Sequence, residues 1–118
     1  MSQLITLDHY LKQSLLRINK EKNIIEVSET NGKTWSSRFT NQNCGSFADL
    51  LYYKGNVFAC TDKGLFISSN DGKTFSSRYT NASTGQFFSL QDGGKELLAT
   101  TSKGLFWSIN EGRTWTKR

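Results

Sequence analysis

No stretch of this sequence stays apolar for the roughly 18 positions that a membrane-spanning helix requires. The first twenty residues lack a basic start followed by a continuous apolar core, so no cleavable leader is expected and the default location is the cytoplasm. Histidine occurs once, at His9, which argues against a histidine-based metal site or catalytic triad. The two cysteines, Cys44 and Cys60, fall in no metal-ligand spacing and are too few for a disulfide framework, so buried free thiols are expected. Runs of Lys or Arg are missing too. Fifteen basic against ten acidic residues give a net charge of +5, but the charges are scattered. They read as a solvated surface rather than a nucleic-acid footprint. Neither a metal nor another cofactor is expected.

What the chain does have is a turn written three times. "SETNGKTW" (28–35), "SSNDGKTF" (68–75) and "SINEGRTW" (108–115) lie forty residues apart. Shifting the chain by forty aligns 40–78 with 80–118 without a gap, and 16 of these 39 pairs are identical. The first third is more divergent. The same shift matches Leu7 with Phe47 and Phe87, Ile18 with Phe58 and Leu98, and Ile25 with Leu65 and Leu105.

A period near forty with strand-like content predicts an all-β chain of propeller blades, three units of four short strands at about 1–39, 40–79 and 80–118 of a single 1–118 domain. In the third unit the strands are expected at 86–91, 96–101, 104–109 and 114–118. Leu65-Phe66-Ile67 and Leu105-Phe106-Trp107 are apolar at consecutive positions, which implies burial on both faces of the sheet. At the N-terminus Leu7, Tyr10, Leu11, Leu15 and Ile18 also fit one face of a helix, but the continuity of the repeat favours strands.

The three turns resemble Asp-boxes, the bacterial neuraminidase repeats of sialidase-like propellers, with the pattern Ser-x-Asp-x-Gly-x-Thr-Trp. Ser28, Ser68 and Ser108 fill the first place, and Gly32, Gly72 and Gly112 the fifth. Thr34, Thr74 and Thr114 fill the seventh, and Trp35, Phe75 and Trp115 the last. The Asp place holds Thr30, Asn70 and Asn110. The asparagines keep an acceptor for the turn's N–H groups, and Thr30 departs furthest. The resemblance implies a structural role for every box residue, on the side of a propeller away from the usual active site.

Propellers close with about four to eight blades, so three blades predict a homodimer completing a six-bladed ring. Met1 lies in phase with the repeat, which favours an intact product over a fragment of a longer propeller. The resemblance also implies a test for catalysis. Sialidases use an arginine clamp, a Tyr–Glu pair, an Asp and an Arg-Ile-Pro signature. This chain has no Pro, and Arg38, Arg78 and Arg118 recur with the blades rather than converge. Glu21, Asp49 and Asp62 are candidate carboxylates, but nothing singles out a pair. The expectation is a non-enzymatic module binding a glycan or a protein surface. A degenerate sialidase-like glycoside hydrolase is the alternative. The candidate contacts are loop residues: Asn41, Gln42, Asn43, Asp62, Lys63, Asn81, Ser83 and Lys103.

Overall fold

The computed structural model describes residues 4–9 and 12–118, without the side chains of residues 8, 9, 12, 13 and 42. Twelve strands run β1 (Leu4–His9), β2 (Lys12–Asn19), β3 (Ile24–Ser28), β4 (Ser36–Phe39), β5 (Phe47–Tyr53), β6 (Asn56–Thr61), β7 (Gly64–Ser68), β8 (Ser76–Tyr79), β9 (Phe87–Asp92), β10 (Leu97–Thr101), β11 (Gly104–Ser108) and β12 (Thr116–Lys117). One 3-10 turn, Gln42–Cys44, is the only helical element among the described residues. The chain is therefore all-β, and no helix among these residues is long and apolar enough to cross a membrane. The N-terminal segment forms strands, not a helix; Tyr10 and Leu11 lie outside the described residues.

Each set of four consecutive strands makes one antiparallel meander, giving sheets A (β1–β4), B (β5–β8) and C (β9–β12). The pairing shows where the forty-residue match holds. Thr61 pairs with Gly64 and Thr101 with Gly104, across turns of two residues. Ile24 occupies the same place in sheet A but pairs with Asn19, across the longer turn 20–23. Strand β2 is thus displaced by two residues from the simple repeat. Leu16, which pairs with Ile5 and Val27, stands where Phe58 pairs with Leu51 and Ile67. Leu7 takes the place of Tyr53, and Ile18 that of Cys60. The matches of Leu7 with Phe47 and of Ile18 with Phe58 therefore fail, while Ile25 with Leu65 stands, because β3 follows the inserted residues. Both positions of each failed pair are apolar, so an alignment by hydrophobicity does not detect the slip.

Sheet B lies between the other two. Its β5 neighbours both β1 and β9. One core joins A to B through Ile5, Leu7, Leu16, Ile18, Ile25 and Val27 against Phe47, Leu50, Val57 and Ala59. A second joins B to C through Phe58, Cys60 and Leu65 against Phe87, Leu90, Leu97 and Ala99. Consecutive residues of β7 divide between them: Leu65 and Ile67 pack toward C, Phe66 toward A. This accounts for the unbroken apolar run. An edge-on aromatic trio repeats at the two joints. Phe39 and Phe75 have ring centroids 4.9 Å apart beside Phe47, and Phe87 and Trp115 are 5.4 Å apart beside Tyr79. Cys44 and Cys60 are buried free thiols within these cores.

Candidate functional site

The three boxes are held by the same bonds. The amides of Gly32, Gly72 and Gly112 donate to the hydroxyls of Ser28, Ser68 and Ser108 at 2.8, 2.8 and 2.9 Å. The residue before each glycine, Asn31, Asp71 or Glu111, has a positive φ near 60°, as does the glycine with φ of 85–89°. Two left-handed residues in succession explain why the fifth place is Gly. Asn70 and Asn110 accept the amides of Thr74 and Thr114 at 3.0 Å. Thr30 makes the same bond at 2.8 Å through its hydroxyl, so the departure from the pattern leaves the turn intact. The indole N–H groups of Trp35 and Trp115 donate to the carbonyls of Gly32 and Gly112, a bond that Phe75 has no group to make. The Ser, Thr and Asn side chains at the first, third and seventh places serve the turn itself.

The loop residues lie at the opposite end of the strands, where each sheet hands over to the next. Asp62 accepts the Ser46 amide at 2.9 Å, and Ser102 repeats this with Gln86 at 2.9 Å. These side chains pin the start of β5 and β9 to the neighbouring hairpin turns. Asn41 and Asn81 fold back on their own loops, accepting the amides of Asn43 and Ser83 at 2.8 and 2.9 Å. Ser83 also donates its hydroxyl to Asn81. Lys103 donates its amide to Thr101 and leaves its side chain exposed. The side chain of Gln42 lies outside the described residues.

Between sheets B and C the loops leave a cleft of about 310 Å³ lined by Asp62, Lys63, Asn81, Gln86 and Ser102. It gathers three of the sequence candidates, Asp62, Lys63 and Asn81, and leaves Asn41, Asn43, Ser83 and Lys103 outside its lining. Gln86 and Ser102 were legible in principle, because Ser102 is the forty-residue mate of Asp62. The matching joint between A and B is stapled instead. Asn23 donates its amide to the Gly45 carbonyl at 2.9 Å and accepts the Phe47 amide at 2.8 Å. Lys63 stands at the place of Asn23 in the next sheet and has no acceptor, so it cannot make that clip.

Asp49 is the one buried carboxylate of the inner strands among the described residues, at 8% exposure. It does not face a cleft with a free oxygen. One oxygen accepts Leu50 N–H and the other Leu90 N–H, both at 3.0 Å, so the side chain ties B to C. Burial pushes its carboxyl above the usual range, against the pull of those two amides. Among the described residues no group of three or more His, Cys, Asp or Glu is placed to hold a metal. No protein-family model and no curated protein matches this chain.

Proposed function

We propose that this chain is a non-catalytic binding module made of three Asp-box propeller blades, with a second copy completing a six-bladed ring. The blade reading is supported by the forty-residue period, the three like-bonded boxes and the neighbouring first strands of successive four-stranded sheets. The observation that carries the functional reading is the cleft between B and C, where Asp62, Lys63, Asn81, Gln86 and Ser102 stand beside apolar lining. Amide, hydroxyl and ammonium groups line it, fixed on rigid turns, and such groups suit the hydroxyls of a glycan or the polar rim of a protein surface. The alternative, a degenerate glycoside hydrolase, needs two available carboxylates across one site. Asp49 has both oxygens engaged, and Asp62 spends one oxygen on Ser46.

A glycan array probed with the labelled chain, followed by amide-shift mapping, tests this. Binding centred on Lys63, Gln86 and Ser102 is expected, weakened roughly tenfold by Lys63→Ala or Gln86→Ala, with no sugar released. Hydrolysis of an aryl glycoside, lost in Asp62→Asn, would establish the alternative.

A further inference from the structure

The box turns of sheets B and C, besides closing their own hairpins, each cover the sheet before them. A β-carbon on Gly72 would lie 3.1 Å from Leu16 Cδ1 and 3.7 Å from Arg38 Cγ of sheet A. One on Gly112 would lie 2.9 Å from Leu65 Cδ2 and 3.5 Å from both Arg78 Cγ and Phe58 Cε2 of sheet B. The box glycine is therefore pressed onto a seat of one or two apolar side chains and an arginine stem. The seat is well covered: the Nε atoms of Arg38 and Arg78 are buried. Beside it Lys54 reaches Glu111 of the next box at 3.9 Å.

Sheet C carries the same seat with no box turn on it among the described residues. Leu98, Leu105 and Arg118 take the places of Phe58, Leu65 and Arg78, and they line an open cavity of about 120 Å³. Leu105 is 55% and Phe88 46% exposed on this face. At the other end of the chain, the box of sheet A has the full geometry and no sheet to cover. The site of a Gly32 β-carbon meets only Leu15, of its own sheet, at 3.7 Å. One seat without a box and one box without a seat fit each other.

The polar residues agree. The outer face of sheet A carries Arg17, Asn19 and Glu26 where sheets B and C bring Ala, Thr and Phe. On sheet C, Thr100 and Gln91 stand where sheet B has Cys60 and Leu51. Both mates have thus become polar in the same layer, a hydroxyl and an amide opposite an ion pair. Two C faces back to back would bury Leu105 and Phe88 but leave the Gly32 box idle.

From these correspondences we infer that sheet A of a second copy seats its Gly32 turn on Leu98, Leu105 and Arg118 of sheet C. The contact is made twice about a twofold axis. This inference rests on the blade reading above and gives it a defined interface. Its polar inlay makes the contact less apolar than the joints within the chain, so the pair dissociates before the chains unfold.

The test is sedimentation of the full chain at high-micromolar concentration. Wild type should run at twice 13.4 kDa. Leu105→Glu, on the C face, and Leu15→Glu, on the A face, should each run as folded monomers, with circular dichroism of the wild type. A lysine cross-linker should join Lys33 of one copy to Lys95 of the other, because these flank the counterparts of Glu111 and Lys54. A wild-type monomer overturns the inference, and ligand binding at the B–C cleft by that monomer would leave the binding module standing. A dimer lost in Leu105→Glu but kept in Leu15→Glu, without the Lys33–Lys95 link, overturns it in favour of two C faces back to back. If either variant fails to fold, the cross-link alone decides, and its absence from a wild-type dimer overturns the inference.

Discussion

The same three-residue rung occurs in each sheet and meets a different fate in the first. Leu50, Ala59 and Phe66 lie abreast in sheet B, and Leu90, Ala99 and Phe106 in sheet C. In sheet A the rung is Leu4, Arg17 and Glu26. The B and C rungs face a neighbouring sheet; among the described residues the A rung faces none. There Arg17 Nε bonds Glu26 at 2.8 Å, and its guanidinium lies 4.0 Å over the Trp35 ring. An arginine and a glutamate in the place of Ala and Phe would leave two charges in an apolar joint, at a cost that pairing only partly offsets. At a half-wet face they cost little and keep an apolar sheet soluble. The sequence of a repeat thus records which of its faces is permanently covered. By that standard the outer face of sheet A is not permanently covered, whereas the joints between A, B and C are.

The largest expected effect sharpens this contrast using one residue type in two places. Trp115 and Trp35 occupy the same box position and make the same indole bond. Trp115 packs into the B–C core edge-on to Phe87, whereas Trp35 has the Arg17 guanidinium over its ring. Trp115→Ala should lower stability by about 3 kcal/mol or more, as truncation of a packed aromatic does. Trp35→Ala should cost about 1 kcal/mol, roughly the worth of a cation–π contact and one hydrogen bond. Chemical denaturation of the two variants at a concentration where the chain is monomeric measures both. Equal losses would mean that sheet A is as tightly covered as sheet C's inner face. Val27, on the other face of sheet A, points into the interior. At 6% exposure in the A–B core, Val27→Asp reports on folding and not on association.

These contrasts bear on what the sequence could reveal. The all-β class, the three sheets and the first three strands of the third unit were readable, because sheets B and C keep one register and their apolar residues recur in phase; the fourth strand, expected at 114–118, spans only Thr116–Lys117. The observed β10 (Leu97–Thr101) and β11 (Gly104–Ser108) lie within a residue of their expected bounds. The first hairpin was not readable in register. Two extra residues in the turn 20–23 slide β2 by two, which preserves the inward and outward alternation and so hides the change. The cleft was half legible. Asp62 and Lys63 stand out as a charged turn, but Gln86 and Ser102, bonded to each other within sheet C, come beside them only once sheet C packs on sheet B. The staple made by Asn23 was invisible, because it joins residues of different sheets through the longer turn itself.

A smaller effect is expected at the B–C joint. Asp49 holds the amides of Leu50 and Leu90 while buried, and its carboxyl is raised above its ordinary 3.8. A group whose folded value is raised supports the fold fully below 3.8, and that support is lost as the pH climbs through the raised value. Asp49→Asn should erase this slope. It should also cost about 1–2 kcal/mol at low pH, because an amide has one acceptor oxygen for two buried N–H groups, and the gap should narrow as the pH climbs. Melts from pH 3 to pH 7 read both, since the variant's curve should be flatter and lower. A variant as stable as wild type at every pH would mean that Asp49 does not clamp the sheets.

The smallest effect belongs to the ion pair on the outer face of sheet A. Burial pushes the Glu26 carboxyl up, but the hydrogen bonds from Arg17 and Asn19 and the charges of Arg17 and Lys22 outweigh it, leaving the group below its ordinary 4.5. The sign is therefore opposite to that of Asp49. A lowered folded value contributes stability that is present above 4.5 and lost as the pH falls through the lowered value. With Arg17 38% exposed, the pair is screened and worth about 0.5 kcal/mol. Glu26→Gln should remove that increment near neutral pH and nothing at low pH, where the carboxyl is already protonated. It should be sensitive to salt, since added ions weaken the wild-type pair but not the variant. In the proposed dimer the same pair would lose its water, and one unpaired guanidinium at an interface costs far more than one at a surface. Glu26→Gln should then weaken the dimer by a larger factor than it weakens the fold. Equal, salt-independent effects on both would mean that the Arg17–Glu26 pair never enters an interface, and that sheet A ends the molecule.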